Sequence, residues 1–333
     1  MFFSVIVTIY NGEAFLASCL DRILSNPADN YELIIIDDGS TDNTVKICDD
    51  YAERYNQVKC IHTENQGIGN ARQTGLDEAS GEYVIFVDGD DVWDESFSLG
   101  RMEEEIKKSQ AELYVFGFIL RKTESYGYSD THYKVIASLF DDWRDNQAQF
   151  LSYFPNGIMF PCWNKIFRRQ CIMENSIISV NQQMEDFRFV LEFLRSTKKV
   201  VFLSDEPYYY MKRGDNSLTS SVHQGMLDGY NYCHSLFLSL FDREYADLIH
   251  RIMAPQYIGT INRYLSIIDL DEDEIEAKKM VEDVIDNDFA RLSFKKYRAN
   301  SFSEIVTCYL MRNGCFGALR KYRRLVLAVK GNI

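Results

Sequence analysis

The sequence predicts an α/β protein: a mostly parallel sheet flanked by helices, followed by a helical C-terminal region. Three observations carry this. Short, nearly unbroken apolar runs recur through the first 120 residues, as in strands covered on both faces. Between them lie stretches with apolar residues at helical spacing. Beyond about residue 220 the strand signals stop and helical periodicity takes over.

Ser4 to Tyr10 is the first strand, ended by Asn11-Gly12. Leu16, Cys19, Leu20, Ile23 and Leu24 then line one helix face. Leu33 to Ile36 is a second strand, closed by Asp37-Asp38-Gly39-Ser40-Thr41-Asp42. Capping residues from Ser40 to Asp42 start a helix expected to bury Val45, Cys48, Ala52 and Tyr55. Val58 to His62 is a third strand, and Asn65-Gln66-Gly67 turns into a helix over about 69–79. Tyr83 to Val87 is a fourth strand, running directly into Asp88-Gly89-Asp90-Asp91. A helix over about 95–109 and a fifth strand over 112–120 follow. Strands alternating with amphipathic helices predict a βαβ sheet. Residues 121–180 read as loops and short elements. A helix is expected over 185–196 and a strand over 199–203, and a soft boundary falls near 220.

Composition is that of a globular protein: 333 residues, 46% hydrophobic, 14% aromatic, five prolines. The sequence shows neither a secretory leader nor a stretch long and apolar enough to span a membrane, so a cytoplasmic location is expected. The eight cysteines are scattered with no Cys-x-x-Cys pair, so neither structural zinc nor a disulfide framework is expected. The histidines, at 62, 132, 223, 234 and 250, show no ligand spacing and read as surface or capping residues. His223 alone lies where it could reach a metal site.

The net charge is −14, but residues 291–333 carry +9, leaving −23 on the first 290. So acidic a body argues against nucleic acid as partner, because phosphate attraction dominates that affinity. It fits a need for divalent cations. In open α/β sheets ligands bind beyond the carboxyl ends of the strands. Here those ends carry Thr8 and Tyr10, then Asp37 and Asp38, then Asp88, Asp90 and Asp91. Three carboxylates in four residues repel one another, so a cation is expected between them and substrate phosphates. Mn2+ or Mg2+ suits oxygen ligands of this kind.

The runs Ser-Val-Ile-Val-Thr-Ile-Tyr-Asn-Gly, Ile-Ile-Ile-Asp-Asp-Gly-Ser-Thr-Asp, Asn-Gln-Gly-Ile-Gly-Asn-Ala-Arg and Gly-Glu-Tyr-Val-Ile-Phe-Val-Asp-Gly-Asp-Asp follow in order. Together they resemble the inverting family 2 glycosyltransferases with the GT-A fold, a Rossmann-like sheet, of the bacterial surface-polysaccharide type. A weaker similarity continues to about 220 through Trp163-Asn164-Lys165, Met184-Glu185-Asp186 and Tyr208-Tyr209-Tyr210 before Arg213 and Ser217.

The resemblance implies a catalytic domain over 1–220 and roles for its residues. Thr8 and Asp38 would hold the uracil of a UDP-sugar, with Tyr10 among the donor contacts. Arg72 and Arg213 would lie near the diphosphate, where a guanidinium matches phosphate geometry. Asp88 would touch ribose or donor sugar, and either Asp90 or Asp91 would bind the metal. Asp186 is the candidate base for the acceptor hydroxyl, with Glu185 beside it on the acceptor side. Trp163 would stack on an acceptor sugar or pack in the core, and Asn164 and Lys165 would shape that subsite. The sequence departs from the family pattern at Met211, where arginine is frequent, and in the added Gly214-Asp215-Asn216.

The implied reaction is metal-dependent, inverting transfer of a hexose or N-acetylhexosamine from a UDP-sugar to a saccharide or polyprenyl-diphosphate-linked sugar acceptor in polysaccharide biosynthesis. A binding or scaffold subunit with the same fold but no catalysis is the alternative, and the intact Asp88, Asp90, Asp91 and Asp186 argue against it. A nucleotidyltransferase would place a basic Gly-rich loop after the first strand, and Asn11 to Phe15 has none. The terminal stretch Arg320 to Lys330, basic and then apolar, would rest on the anionic inner face of a membrane, pack on its own domain, or contact a second copy in a homodimer.

Overall fold

The computed structural model describes residues 1–124, 127–213, 226–269 and 274–297, with scattered positions between 306 and 322; for 263–269 and 274–278 it describes the backbone alone. The chain divides into two units, Met1–Ser217 and Leu218–Ile333.

In the first unit β1 (Phe3–Ile9) pairs in parallel with β2 (Tyr31–Asp37) and β4 (Tyr83–Asp88), and β2 pairs with β3 (Val58–His62). All seven residues of β1 are buried. Side chains alternate between faces, so this strand is covered on both, as its apolar run predicts. The helices α1 (Leu16–Leu24), α2 (Thr44–Arg54) and α3 (Ile68–Glu78) connect these strands. In α2 the buried residues are Thr44, Cys48 and Tyr51, while Val45, Ala52 and Tyr55 are half-buried, a rotation of the expected face. A two-residue strand, β5 (Val92–Trp93), follows the acidic turn, so the next helix, α4 (Leu99–Ser109), starts later than its periodicity predicts, capped by Ser98.

The expected fifth strand is two strands. β6 (Leu113–Phe116) stays in the main sheet, and β7 (Phe118–Glu124) leaves it to pair with β8 (Gly127–Tyr133). The switch falls at Gly117, whose N–H bonds the Asp205 carbonyl and whose missing Cβ would lie 2.5 Å from the Tyr133 carbonyl oxygen. After β9 (Ser138–Phe140) and α5 (Gln147–Leu151), β10 (Lys165–Arg168) inserts antiparallel between β4 and β6. Then come α6 (Arg169–Glu174), α7 (Glu185–Ser196), β11 (Val200–Leu203) and β12 (Tyr208–Lys212). The main sheet has the order β3-β2-β1-β4-β10-β6-β11-β9, mostly parallel, and a smaller sheet runs β5-β12-β7-β8.

The second unit is helical where described: α8 (Met226–Leu240), α9 (Ala246–Asp269), α10 (Glu274–Asp286) and α11 (Asp288–Lys296). His234 and His250 are not surface residues, as expected from sequence, but buried and hydrogen-bonded at 2.9 Å, with Tyr257 on the other ring nitrogen of His234. Among the described residues no helix is long and apolar enough to cross a membrane.

Candidate functional site

Strand register sets the site. Thr8 lies opposite Asp88, and Ile9 opposite Asp37, so the ends of β2, β1 and β4 form one row. The Thr8 hydroxyl is buried without a hydrogen-bond partner. Asp38 is buried and accepts the backbone N–H of Gln66 at 2.9 Å and of Gly67 at 2.8 Å, fixing the turn into α3. Gly67 has φ +90°, and a Cβ on Gly69 would lie 2.1 Å from the Val180 carbonyl oxygen. The chain leading to α7 is therefore laid directly over the start of α3, where glycine alone leaves room.

Arg72, on α3, is only 3% exposed and joins two parts of the site. Its Nη2 donates to Asp88 Oδ1 at 2.9 Å, and its Nη1 pairs with Asp186 in the first turn of α7. Glu185 is 3.8 Å from the same guanidinium. Cys162, through backbone N–H and thiol, donates to the Asp186 carboxylate at 3.3 Å each.

The three acids of the turn after β4 do different things. Asp88 takes Arg72. Asp91, 1% exposed, accepts the Tyr208 hydroxyl at 2.7 Å on one oxygen and the Met211 N–H at 2.8 Å on the other. Of the two metal ligands left open by sequence, Asp91 is thus the one that anchors β12. Asp90 keeps 53% of its side chain exposed, with Arg213 Nη1 at 3.6 Å. That Nη1 is buried without a hydrogen bond, and its guanidinium sits over the Phe15 ring at 4.0 Å. An open carboxylate beside an unsatisfied guanidinium fits a cation bridged to a phosphate group.

With this geometry in view, sequence comparison is decisive: the profile described as "Glycosyl transferase family 2" matches residues 4–174. The chain belongs to glycosyl transferase family 2. It is 29% identical over 228 residues to the uncharacterised glycosyltransferase EpsJ of Bacillus subtilis, covering 68% of this chain and 65% of EpsJ. It is 29% identical over 218 residues to glycosyltransferase GlyA of Streptococcus pneumoniae, covering 63% of this chain and 30% of GlyA. The match thus spans less than two thirds of either relative. The crystal structure of S. aureus TarS 1–349 in complex with UDP-GlcNAc has the same fold, with TM-score 0.67 at 19% identity over 97% of this chain and 91% of that one.

Electrostatics in this family 2 chain follow from burial. Burial pushes Asp88 up to about 6, against the pull of Arg72 and with help from Asp186 and Asp90. It pushes Glu185 up to about 7, helped by Asp186 and opposed by Arg72. Asp90 is raised by burial with Arg213 opposing, and Asp91 is raised by burial, Asp90 and Asp88.

Three residues expected on the acceptor side are packed. Trp163 is 6% exposed, stacked on Tyr208 at 4.4 Å and Tyr210 at 5.4 Å. Asn164 is buried and donates to the Phe116 and Ile158 carbonyls. Lys165 is fully buried, its Nζ donating to Ile158 O, Pro161 O and Asn164 Oδ1, and burial brings it down to about 7. These two shape the loop carrying Cys162 from beneath. Tyr10 stands exposed just past β1. Ser217 and His223 lie outside the described residues. Sequence reasoning gave no role to Cys162, Tyr208 or Phe15; the tyrosine run was the one signal for Tyr208.

Proposed function

We propose that the chain transfers a hexose or N-acetylhexosamine from a UDP-sugar to a saccharide acceptor, inverting the anomeric carbon, with Mn2+ or Mg2+ bound. The observation that carries this reading is Arg72, which touches Asp88 of the acidic turn and Asp186 of α7 at once. One guanidinium thereby joins the donor-side acids to the candidate base. The UDP-GlcNAc in the TarS complex supports the donor class.

Thr8 and Asp38 would hold uracil. The backbone and Thr63 contacts of Asp38 leave a lone pair on Oδ2 for the uracil N–H. Asp90 would hold the cation, which supplies charge neutralisation to the departing diphosphate, and donor phosphate oxygens would complete its shell. Arg213 would donate its unsatisfied Nη1 to the same diphosphate. The acceptor hydroxyl attacks the anomeric carbon, the bond to UDP breaks, and Asp186 takes the hydroxyl proton. Arg72 pairs with Asp186 and holds its carboxylate in place. Glu185 lines the acceptor side.

Residues Met1–Ser217 would contain the transfer machinery, acting on a lipid-linked saccharide in surface-polysaccharide assembly. The basic stretch Arg320 to Lys330, which lies mostly outside the described residues, would supply peripheral contact with the inner membrane face. The test is UDP release from a panel of UDP-sugars, with manganese or EDTA and a lipid-diphosphate-linked sugar as acceptor. Metal-dependent release with one or two donors is expected. Neither release nor UDP binding with any donor would sink the reading in favour of a scaffold.

A further inference from the structure

The sequence shows no zinc-type spacing, but the fold gathers one such set at the edge of the main sheet. His62 ends β3 opposite Asp37, and Cys60 lies two residues earlier on the same strand face. Helix α2 packs against β3 and brings Asp49 to them. His62 Nε2 is 3.1 Å from Asp49 Oδ1 and 3.5 Å from Cys60 Sγ, and all three ligand atoms lie within 4.8 Å of one another. We propose that Asp49, Cys60 and His62 form a surface site for a thiophilic divalent cation of the zinc class, apart from the acidic turn at Asp90.

Two physical arguments support it. A tetrahedral zinc bound at ordinary lengths sets its nitrogen and oxygen ligands about 3.3 Å apart, and its nitrogen and sulfur ligands about 3.5 Å apart. Two of the three observed separations, 3.1 and 3.5 Å, agree with this, and the third lies within 4.8 Å. Second, the other ring nitrogen of His62 is held by a carboxylate: Nδ1 is 2.8 Å from Oδ2 of Asp37, which is buried. Metal-ligating histidines have this outer partner, which fixes tautomer and ring orientation and leaves Nε2 for the metal. Mixed thiolate, imidazole and carboxylate donors select zinc over magnesium or calcium.

Occupancy would pin α2 to the edge strand. Asp37 also accepts the Ser40 N–H at 3.0 Å, so the cation's hold on His62 would extend to the turn after β2. Without metal, the same residues make an ion-pair chain of Asp37, His62 and Asp49. That chain is the competing account.

The test is titration of the full chain with Co2+ under a thiol-free reductant, following the cobalt–thiolate charge-transfer absorption. The wild type should bind one equivalent with that band, and Asp90→Asn should keep it. Cys60→Ser should abolish it. Asp49→Asn, at an exposed position, should weaken binding at least about tenfold, and Asp37→Asn about 10–100-fold. Circular dichroism checks folding, and if Cys60→Ser does not fold, Asp49→Asn decides. No thiolate band at millimolar cobalt, a band that survives in folded Cys60→Ser, affinity unchanged in Asp49→Asn, or a band lost with Asp90→Asn would each overturn the proposal.

Discussion

The Tyr208 hydroxyl donates to Asp91 at 2.7 Å, across 117 residues of sequence. With the Met211 N–H on the other oxygen, this contact holds β12 beneath the acidic turn and leaves Asp90 as the acid facing out. Asp90→Asn should therefore lower kcat/KM at least about 100-fold with little change in stability. Asp91→Ala should instead lose about 1–3 kcal/mol by leaving the Tyr208 hydroxyl unmatched. UDP-release kinetics and urea denaturation of both variants check this. Equal stability losses would contradict the division of roles.

Arg72 carries a different burden. Removing it leaves Asp88 and Asp186 facing each other without a cation in a poorly hydrated place. Arg72→Ala should cost about 3–5 kcal/mol. Arg72→Lys keeps the charge but not the fork, and should recover only part of this. Urea midpoints of the two variants provide the comparison.

Asp186→Asn should lower kcat by about 10²–10⁴-fold while leaving UDP affinity near that of the wild type. Calorimetric binding of UDP beside turnover separates the two effects. If Glu185→Gln gave the larger loss in kcat, the base would be Glu185.

Glu185 also predicts a pH effect on stability. Burial raises its folded value from an ordinary 4.5 to about 7, so the fold prefers the protonated acid. That contribution is fully present below 4.5 and is lost as pH rises through about 7. Glu185→Gln mimics the protonated form. It should match the wild type at low pH and be about 1–2 kcal/mol more stable near pH 8. Urea midpoints across this range measure it, and a constant difference at every pH would refute it.

Trp163→Ala should cost about 3–5 kcal/mol as a loss of core packing. Trp163→Phe should recover much of that stability together with the acceptor KM. A raised acceptor KM in a stable Trp163→Phe would return this residue to the acceptor subsite.

Much of this was legible in the sequence because its signals are local. The apolar runs of β1, β2 and β4 and the helical periodicity of α7 identify those elements directly. The ends of parallel strands then assemble Thr8, Asp38 and Asp88. What was hidden depends on distant partners. Lys165-Ile166-Phe167-Arg168 does not read as a central strand, because its charged ends look solvent-facing. Gly117 looks like part of one strand until two sheets compete for the chain on either side. Asp90 and Asp91 are equivalent in sequence, and a tyrosine from β12 separates them. Asp49, Cys60 and His62 come from a helix and a strand, so no motif spacing announces them.

The Met211 contact bears on what residue 211 can be. Asp91 is gripped by a main-chain N–H, which every residue except proline possesses. The side chain at 211 is thus released from that duty. Any substitution at this position other than proline leaves the anchor of the acidic turn in place.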